Sequence, residues 1–182
     1  MHTILVLLLA YPAFQKPAPP QERCSITIVL PRGWTAGKGD TSPDRQCVFG
    51  VIPREGWSRI RRENADIDTD PYPISITVFT GRLETLVEKR ELGKDAQGWY
   101  FEGRAGITTR ASELKTSCCL AVRGRSETGL YGKSGYAGMG QVQIAVVVGK
   151  DKIAWMESDP SLALLEDGIE VFDNLMMSLL FR

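Results

Sequence analysis

The positions of apolar residues predict β-strands along most of the chain. Strands with alternating or continuous apolar character are predicted at residues 25–30, 46–52, 74–80, 99–101, 106–110, 118–125, 142–148 and 153–156. In the clearest of them, Val142, Ile144, Val146 and Val148 alternate with other residues, and a turn at 149–152 joins this strand to the next as a hairpin. The pattern therefore predicts a mostly antiparallel sheet.

One internal segment has helical spacing instead. Leu83, Leu86 and Val87 would share one face of a short helix at residues 82–92. Gly93 then stands where a helix-ending glycine belongs. We expect a single short helix here, between two strands.

A long C-terminal helix is predicted from residue 160 onward. Asp159 is a suitable N-cap for it, and Pro160 is a suitable first residue. Its buried face would be a stripe of apolar residues, namely Leu162, Leu165, Ile169, Phe172, Met176 and Leu179. Gly168 interrupts the stripe and predicts a kink. The expected fold class is α+β, a mostly antiparallel sheet with a short internal helix and a long C-terminal helix packed on it.

The beginning of the chain predicts export. Residues 1–15 are interpreted as a signal peptide, 16–24 as a proline-rich linker and 25–182 as a single globular domain. The apolar run at 4–10 is shorter than the roughly 20 residues that span a bilayer, so no transmembrane span is expected once the signal is removed. No Lys or Arg precedes that run and no clean cleavage site follows it. An apolar N-terminus on a cytosolic protein is therefore the alternative to a secreted or periplasmic protein.

Charge and histidine content exclude several classes of function. The chain has 22 Lys plus Arg and 22 Asp plus Glu, so its formal net charge is zero and it has no excess of positive charge to attract nucleic acid. Its one histidine, His2, lies in the predicted signal peptide. The predicted mature chain therefore lacks the usual general base, the usual partner of a Ser or Cys nucleophile and the commonest zinc ligand. No cofactor is expected.

Four cysteines suit an oxidising compartment and a framework of up to two disulfides. They are Cys24, Cys47, Cys118 and Cys119, and their pairing is open among three possibilities. Cys118 and Cys119 are adjacent in a predicted strand, where successive side chains point to opposite faces and cannot both reach one neighbour. One bridge with two buried thiols is thus as reasonable as two bridges. A zinc site would need all four thiolates, so no metal site is predicted.

A glycine-rich segment at residues 129–140 is the predicted binding site. It contains Gly-Lys-Ser but lacks the earlier glycine of a phosphate loop, and a strand rather than a helix follows it. We interpret it as a flexible loop between strands, in which Tyr131, Lys133 and Tyr136 are the candidate binding residues. Tyrosines on such a loop can provide amphipathic contact area at small entropic cost.

Other short patterns match known chemistry only in part. Asp66, Asp68 and Asp70 have the spacing of a calcium loop, but Pro71 and Thr77 replace the glycine and glutamate that an EF-hand requires. An acidic loop before a strand is the expected structure, with a weak calcium site as the alternative.

Two arrangements could support hydrolysis without histidine. Ser112 and Lys115 match a Ser-x-x-Lys pattern, in which one helical turn brings the lysine to the serine. Glu157 and Asp159 could form a pair of carboxylates, although capping of the following helix explains Asp159 more simply. Either arrangement would make the chain a small hydrolase, which is the alternative hypothesis for its function.

Three segments resemble the PsbP-like fold, the family of the extrinsic photosystem II subunit and of bacterial DcrB-like envelope proteins. They are the opening strand that ends in Leu-Pro-Arg-Gly-Trp at residues 30–34, the Tyr-Pro-Ile-Ser-Ile-Thr-Val segment at 72–78, and the closing hairpin with residues 169–181. The resemblance spans roughly residues 25–182. It implies a small exported or envelope-associated binding module with no shared catalytic residues.

The sequence therefore favours a non-enzymatic exported domain over an enzyme. Its expected partner is an envelope or extracellular protein, or a small ligand, and not nucleic acid. Residues 129–140 are the expected binding surface.

Overall fold

A computed structural model describes residues 19–41, 46–64, 70–88, 91–102, 108–132 and 135–182. Strands make up 52% of these residues and helical segments 20%. The strands, in chain order, are β1 (Gln21–Arg23), β2 (Ile26–Ile28), β3 (Trp34–Ala36), β4 (Asp40–Thr41), β5 (Cys47–Pro53), β6 (Ile74–Thr80), β7 (Leu92–Asp95), β8 (Gly98–Glu102), β9 (Thr108–Lys115), β10 (Leu120–Gly132), β11 (Gly135–Val148), β12 (Lys152–Ser158) and β13 (Leu180–Phe181). The helices are α1 (Trp57–Glu63), α2 (Leu83–Glu88), α3 (Gly168–Ser178) and one 3-10 helix (Pro160–Leu164).

The strands form one large antiparallel sheet and one small one. The large sheet has the order β3-β5-β6-β12-β11-β10-β9-β8-β7, and β4 adds to β5. The small sheet has the order β1-β2-β13, so a strand from the beginning of the described chain pairs with the last strand. Antiparallel neighbours joined mostly by short turns follow from the alternating sequence pattern.

Alternation along the central strands buries both faces of the large sheet. In β11, Ala145 and Val147 belong to one hydrophobic cluster, and Ile144 and Val146 belong to another. The first cluster lies between the sheet, the small sheet and α3. The second is covered by α2 and the β7–β8 hairpin, whose Leu86, Leu92 and Phe101 pack against it. A strand buried on both faces explains the nearly continuous apolar run at 142–148.

The predicted α+β fold class is wrong, because the fold is mostly antiparallel β with short helices. The long C-terminal helix does not form. Residues 160–164 make a 3-10 helix, the chain becomes extended at Leu165, and α3 begins anew at Gly168. Gly168 permits this break, because its backbone lies so close to Leu162 that an added Cβ would be 2.3 Å from the Leu162 backbone oxygen. Leu162, Phe172, Met176 and Leu179 of the apolar stripe are buried as expected, whereas Leu165 and Ile169 are half-buried. The stripe is divided between the 3-10 helix, α3 and the extended residues that follow each of them.

Substitution of Gly168 tests this break directly. In a continuous helix, Gly168→Ala would raise the free energy of unfolding by about 1 kcal/mol, because alanine favours helix more than glycine does. Here the added methyl meets backbone, and we expect a loss of about 2 kcal/mol instead. Denaturant unfolding measures the difference. Glu170→Ala, an exposed change in the first turn of α3, is the control and should stay within about 0.5 kcal/mol of wild type.

The internal helix is shorter than predicted. It covers Leu83–Glu88, and Gly93 does not end it but lies in β7, paired with Tyr100. An added Cβ at Gly93 would be 2.2 Å from Cζ of Tyr100, so the tyrosine ring covers the glycine across the strand pair. Gly93 therefore provides room for a cross-strand aromatic residue.

Helix α1 was not predicted from the sequence. Trp57 and Ile60 are its only buried residues, and the charged residues around them hide the helical period. Trp57 is 1% exposed and donates a hydrogen bond from Nε1 to the Pro71 oxygen at 3.1 Å. Of the helices in the described part of the chain, none is both long enough and apolar enough to cross a membrane.

Candidate functional site

The segment predicted to be a glycine-rich loop is the end of a long β-hairpin. Strands β10 and β11 pair from Leu120 and Val148 as far as Gly132 and Gly135. Pairing of β10 with β9 stops at Gly124, and pairing of β11 with β12 stops at Ile144. Residues 125–132 and 135–143 therefore continue beyond the pairing with β9 and β12 as a two-stranded ribbon, which we call the arm. Val142 and Gln143 at its base are still buried against the body of the domain. Eight residue pairs give it a length of about 25 Å.

The glycines of the arm misled the sequence interpretation because they lie opposite larger residues. Gly129 pairs with Met139, Gly138 with Leu130, and Gly140 with Thr128. A strand that alternates glycine with large residues lacks the β-branched residues that identify strands in a sequence. The predicted flexible loop at 129–140 is therefore wrong.

A bulge places the exposed apolar side chains of the arm on one face. The register shifts between Leu130 and Tyr131, so that Tyr131 pairs with Tyr136 and Gly129 pairs with Met139. Positions 129 and 131 are two residues apart on β10, so they lie on the same face of the ribbon. Their partners on β11, Met139 and Tyr136, lie on that face as well, although the bulge leaves these two residues three positions apart. Tyr136 is 61% exposed and Met139 is 54% exposed. Together they form an apolar surface near the tip.

The base of the arm is anchored to the body of the domain. Arg123, whose side chain is 14% exposed, donates from Nε to Oδ1 of Asp173 on α3 at 2.9 Å and lies over the Phe172 ring. Farther out, Gly140 leaves room for the side chains of Leu130 and Pro160, because an added Cβ would be 2.8 Å from a carbon of each. These contacts hold the beginning of the arm in a fixed direction.

The outer edge of β10 forms one side of the arm. Of the residues that the structure describes, only β11 pairs with residues 125–132 of β10. The outward backbone N–H and C=O groups of that edge can therefore accept another strand. Arg125 and Glu127 are exposed beside this edge, with one charge of each sign.

The three predicted binding residues have different positions. Tyr136 is exposed on the arm, and the backbone of Tyr131 pairs with it. Lys133 lies outside the described residues. Met139 was missed because a loop interpretation gives no reason to group it with Tyr136. The strand register was the necessary signal.

The cysteines form two disulfides. Cys24, in the turn between β1 and β2, is bonded to Cys47 at the start of β5, and so joins the small sheet to the large one. Cys118 and Cys119 are bonded to each other. The prediction that their side chains diverge was wrong, because residues 117–119 form a bend and β10 begins only at Leu120.

The proposed serine–lysine pair is not assembled. Ser112 and Lys115 lie on β9, opposite Arg123 and Leu120 of β10. Residues three apart on a strand point to opposite faces, so the lysine cannot act as base for the serine. The hydrolase hypothesis loses its nucleophile.

The proposed carboxylate pair is also divided between two roles. Asp159 is 2% exposed and caps the 3-10 helix, with Oδ1 accepting from the Ser161 N–H at 2.7 Å. Its Oδ2 accepts from the Asp70 N–H at 2.7 Å. Partial burial of the Asp70 carboxyl, followed by the nearby Asp159 charge, raises the pKa of Asp70 above its usual value. Glu157, by contrast, is exposed on the sheet. The hydrogen bonds of Asp159 therefore give it a structural role as a helix cap.

A groove of about 400 Å³ crosses the β6–β12 face of the large sheet. Its lining consists of Gln46, Thr77, Phe79, Glu91, Glu102, Trp155 and Glu157. Within the described ranges, no group of three or more His, Cys, Asp or Glu residues could hold a metal ion. Asp66 and Asp68 of the possible calcium loop lie outside those ranges.

The arm thus combines an open strand edge with two exposed apolar side chains on an anchored base. The PsbP-like resemblance stays a prediction. No family model matches the chain, and a search of curated proteins finds no match.

Proposed function

We propose that the chain is an exported protein-binding domain whose arm takes up an extended segment of another protein as an additional strand. The observation that carries the proposal is the open edge of β10 at residues 125–132, beside Tyr136 and Met139. Strand addition gains affinity from main-chain hydrogen bonds and specificity from side-chain contacts. Both are available on the arm.

The exposed edge lacks three of the features by which proteins protect their sheet edges: it is not short, it contains no proline, and no described loop covers it. Such edges are usually short, or carry inward-pointing charges, proline or a covering loop. Residues 125–132 contain no proline, and the adjoining face carries Tyr136 and Met139 near the tip and the charged Arg125 and Glu127 nearer the base. A long accessible edge with an apolar flank fits a surface that another chain covers.

The Cys24–Cys47 disulfide supports the exported location. Disulfides persist in secreted and periplasmic proteins and are rare in the cytosol. This bond closes a loop with a sequence separation of 23 and joins two sheets, as structural disulfides of exported domains do. The partner would accordingly be an envelope or extracellular protein.

The test is a selection of linear peptides against the oxidised full chain, followed by fluorescence anisotropy with the peptides obtained. We expect peptides whose affinity falls at least tenfold when Tyr136 and Met139 both become serine, because burial of each apolar side chain contributes about 1.5–3 kcal/mol. N-methylation of alternate peptide amides should weaken binding comparably, because it removes N–H donors from the added strand.

Two controls separate the arm from the rest of the surface. Met177→Ser changes a methionine on α3 that is 42% exposed and should leave the affinity unchanged. Deletion of residues 131–138 removes no member of either hydrophobic cluster, so the melting temperature should be preserved while binding is lost. Peptides that bind the serine double variant as tightly as wild type, or a selection without any arm-dependent binder, would contradict the proposal.

A further inference from the structure

The Cys118–Cys119 disulfide occupies an accessible position in the turn between β9 and β10. The residue Cys118 is exposed, whereas Cys119 is half-buried and packs against the first hydrophobic cluster. An open groove of about 420 Å³, lined in part by Lys115, Thr116 and Ser117, lies beside the two sulfurs. A thiol can therefore approach Cys118 from solvent.

The turn does not depend on this bond. Thr116 donates from its backbone N–H to the Cys119 oxygen at 2.9 Å, and Cys119 donates in return to Oγ1 of Thr116 at 3.1 Å. The Thr116 hydroxyl also donates to the Cys119 oxygen at 3.2 Å. These hydrogen bonds join the two ends of the turn independently of the disulfide, so we expect the turn to persist when the disulfide opens.

The bond also contributes little constraint to the unfolded chain. A disulfide stabilises a fold mainly by closing a loop in the unfolded state, and the effect grows with loop length. Cys118 and Cys119 have a sequence separation of 1, whereas Cys24 and Cys47 have a separation of 23. Of the two disulfides, only Cys24–Cys47 can have a large structural role.

The surroundings can accommodate the reduced pair. Sγ of Cys118 lies 3.3 Å from the Leu179 oxygen and 3.8 Å from Oγ1 of Thr116. Both oxygens can accept a hydrogen bond from a thiol S–H once the disulfide is open. Cys119, already packed against apolar neighbours, suits a neutral thiol.

We propose that Cys118 and Cys119 form a thiol–disulfide exchange site for a dithiol reductant. A thiolate of the reductant attacks Sγ of Cys118, a mixed disulfide forms, and the Cys118–Cys119 bond breaks. Cys119 leaves as a thiolate and takes a proton from water. The second thiol of the reductant then loses its proton to solvent and attacks the mixed disulfide, and Cys118 is released and protonated. The chain gains two electrons and two protons overall, and the reductant becomes a disulfide.

Differential alkylation of the full chain with dithiothreitol as the reductant tests the site. N-ethylmaleimide added before reduction should label none of the four cysteines. Under limiting dithiothreitol, peptide mass mapping should show Cys118 and Cys119 labelled at least tenfold faster than Cys24 and Cys47, because Cys118 is exposed whereas Cys24 and Cys47 are both half-buried. The melting temperature should fall by no more than about 4 °C when only this pair is reduced.

Matched double variants identify the origin of the fast reaction. Cys118→Ser with Cys119→Ser should remove the fast labelling and leave the slow reaction of Cys24 and Cys47 as it was. Labelling of Cys118 or Cys119 without reductant, equal rates at the two disulfides, or loss of the folded state on reduction of this pair would each overturn the proposal. The rate of cysteine labelling does not depend on whether the arm binds a peptide.

Discussion

Replacing Cys24 and Cys47 together by serine is expected to lower the free energy of unfolding by about 3.5 kcal/mol. The bond closes a loop with a sequence separation of 23. Removal of the bond increases the conformational entropy of the unfolded chain by the entropy that closing this loop costs. The bond also holds a tight turn in which Cys24 and Ser25 both have positive φ, 53° and 61°. Such a turn favours glycine or asparagine, and each non-glycine residue there costs about 1 kcal/mol.

Urea unfolding of the oxidised variants measures this effect. The matched control is the double serine variant of Cys118 and Cys119, which has the same chemical change and a separation of 1, so that the expected loss is at most about 1 kcal/mol. Equal losses in the two double variants would contradict the assignment of the structural role to Cys24–Cys47.

Asp159→Ala is expected to lower the free energy of unfolding by about 3 kcal/mol. The side chain is 2% exposed and accepts hydrogen bonds from the backbone N–H groups of Asp70 and Ser161. Alanine leaves both donors without their acceptor. Asparagine keeps one acceptor oxygen, so Asp159→Asn should lose about half as much. A loss below about 0.5 kcal/mol in Asp159→Ala would show that water replaces the carboxylate at no cost.

Asp70 and Asp159 also make the free energy of unfolding depend on pH. Burial and the Asp159 charge raise the pKa of Asp70 in the folded state, so the folded state binds that proton more tightly than the unfolded state does. The contribution of Asp70 to stability is therefore greatest below its unfolded pKa and is lost as the pH rises through its folded pKa. In Asp159→Asn the charge is absent, and this part of the pH profile, measured by urea unfolding, should become shallower.

Strands with a clear period could be predicted from the sequence. Residues 74–80 form β6 within the predicted bounds, and Val142, Ile144 and Val146 share one face of β11 as expected. In these segments the local pattern and the tertiary burial agree. The cap at Asp159 with Pro160 after it was also correct, because capping depends only on neighbouring residues.

The errors arose where the decisive contact is distant in sequence or depends on backbone conformation. The break before Gly168 depends on the Leu162 oxygen, and the pairing of Cys118 with Cys119 depends on a bend that a strand assumption excludes. The arm was missed because its glycines lie opposite large residues of the other strand, which cannot be recognised without the register. Tyr136 stays a predicted binding residue, and the surface that it forms with Met139 could be recognised only with the bulge.

The pairing of β2 with β13 has a consequence for the order of folding. Ile26 is paired with Phe181 and Thr27 with Leu180, so the small sheet joins segments about 155 residues apart. Contacts of such long range form slowly, because the entropy of closing the intervening chain is lost before the contact is made. The β10–β11 hairpin, whose partners are near in sequence, can form early, whereas the small sheet is completed only after residue 181 is available. We therefore expect the side of the core formed by Ile26 and Ile28 to close last.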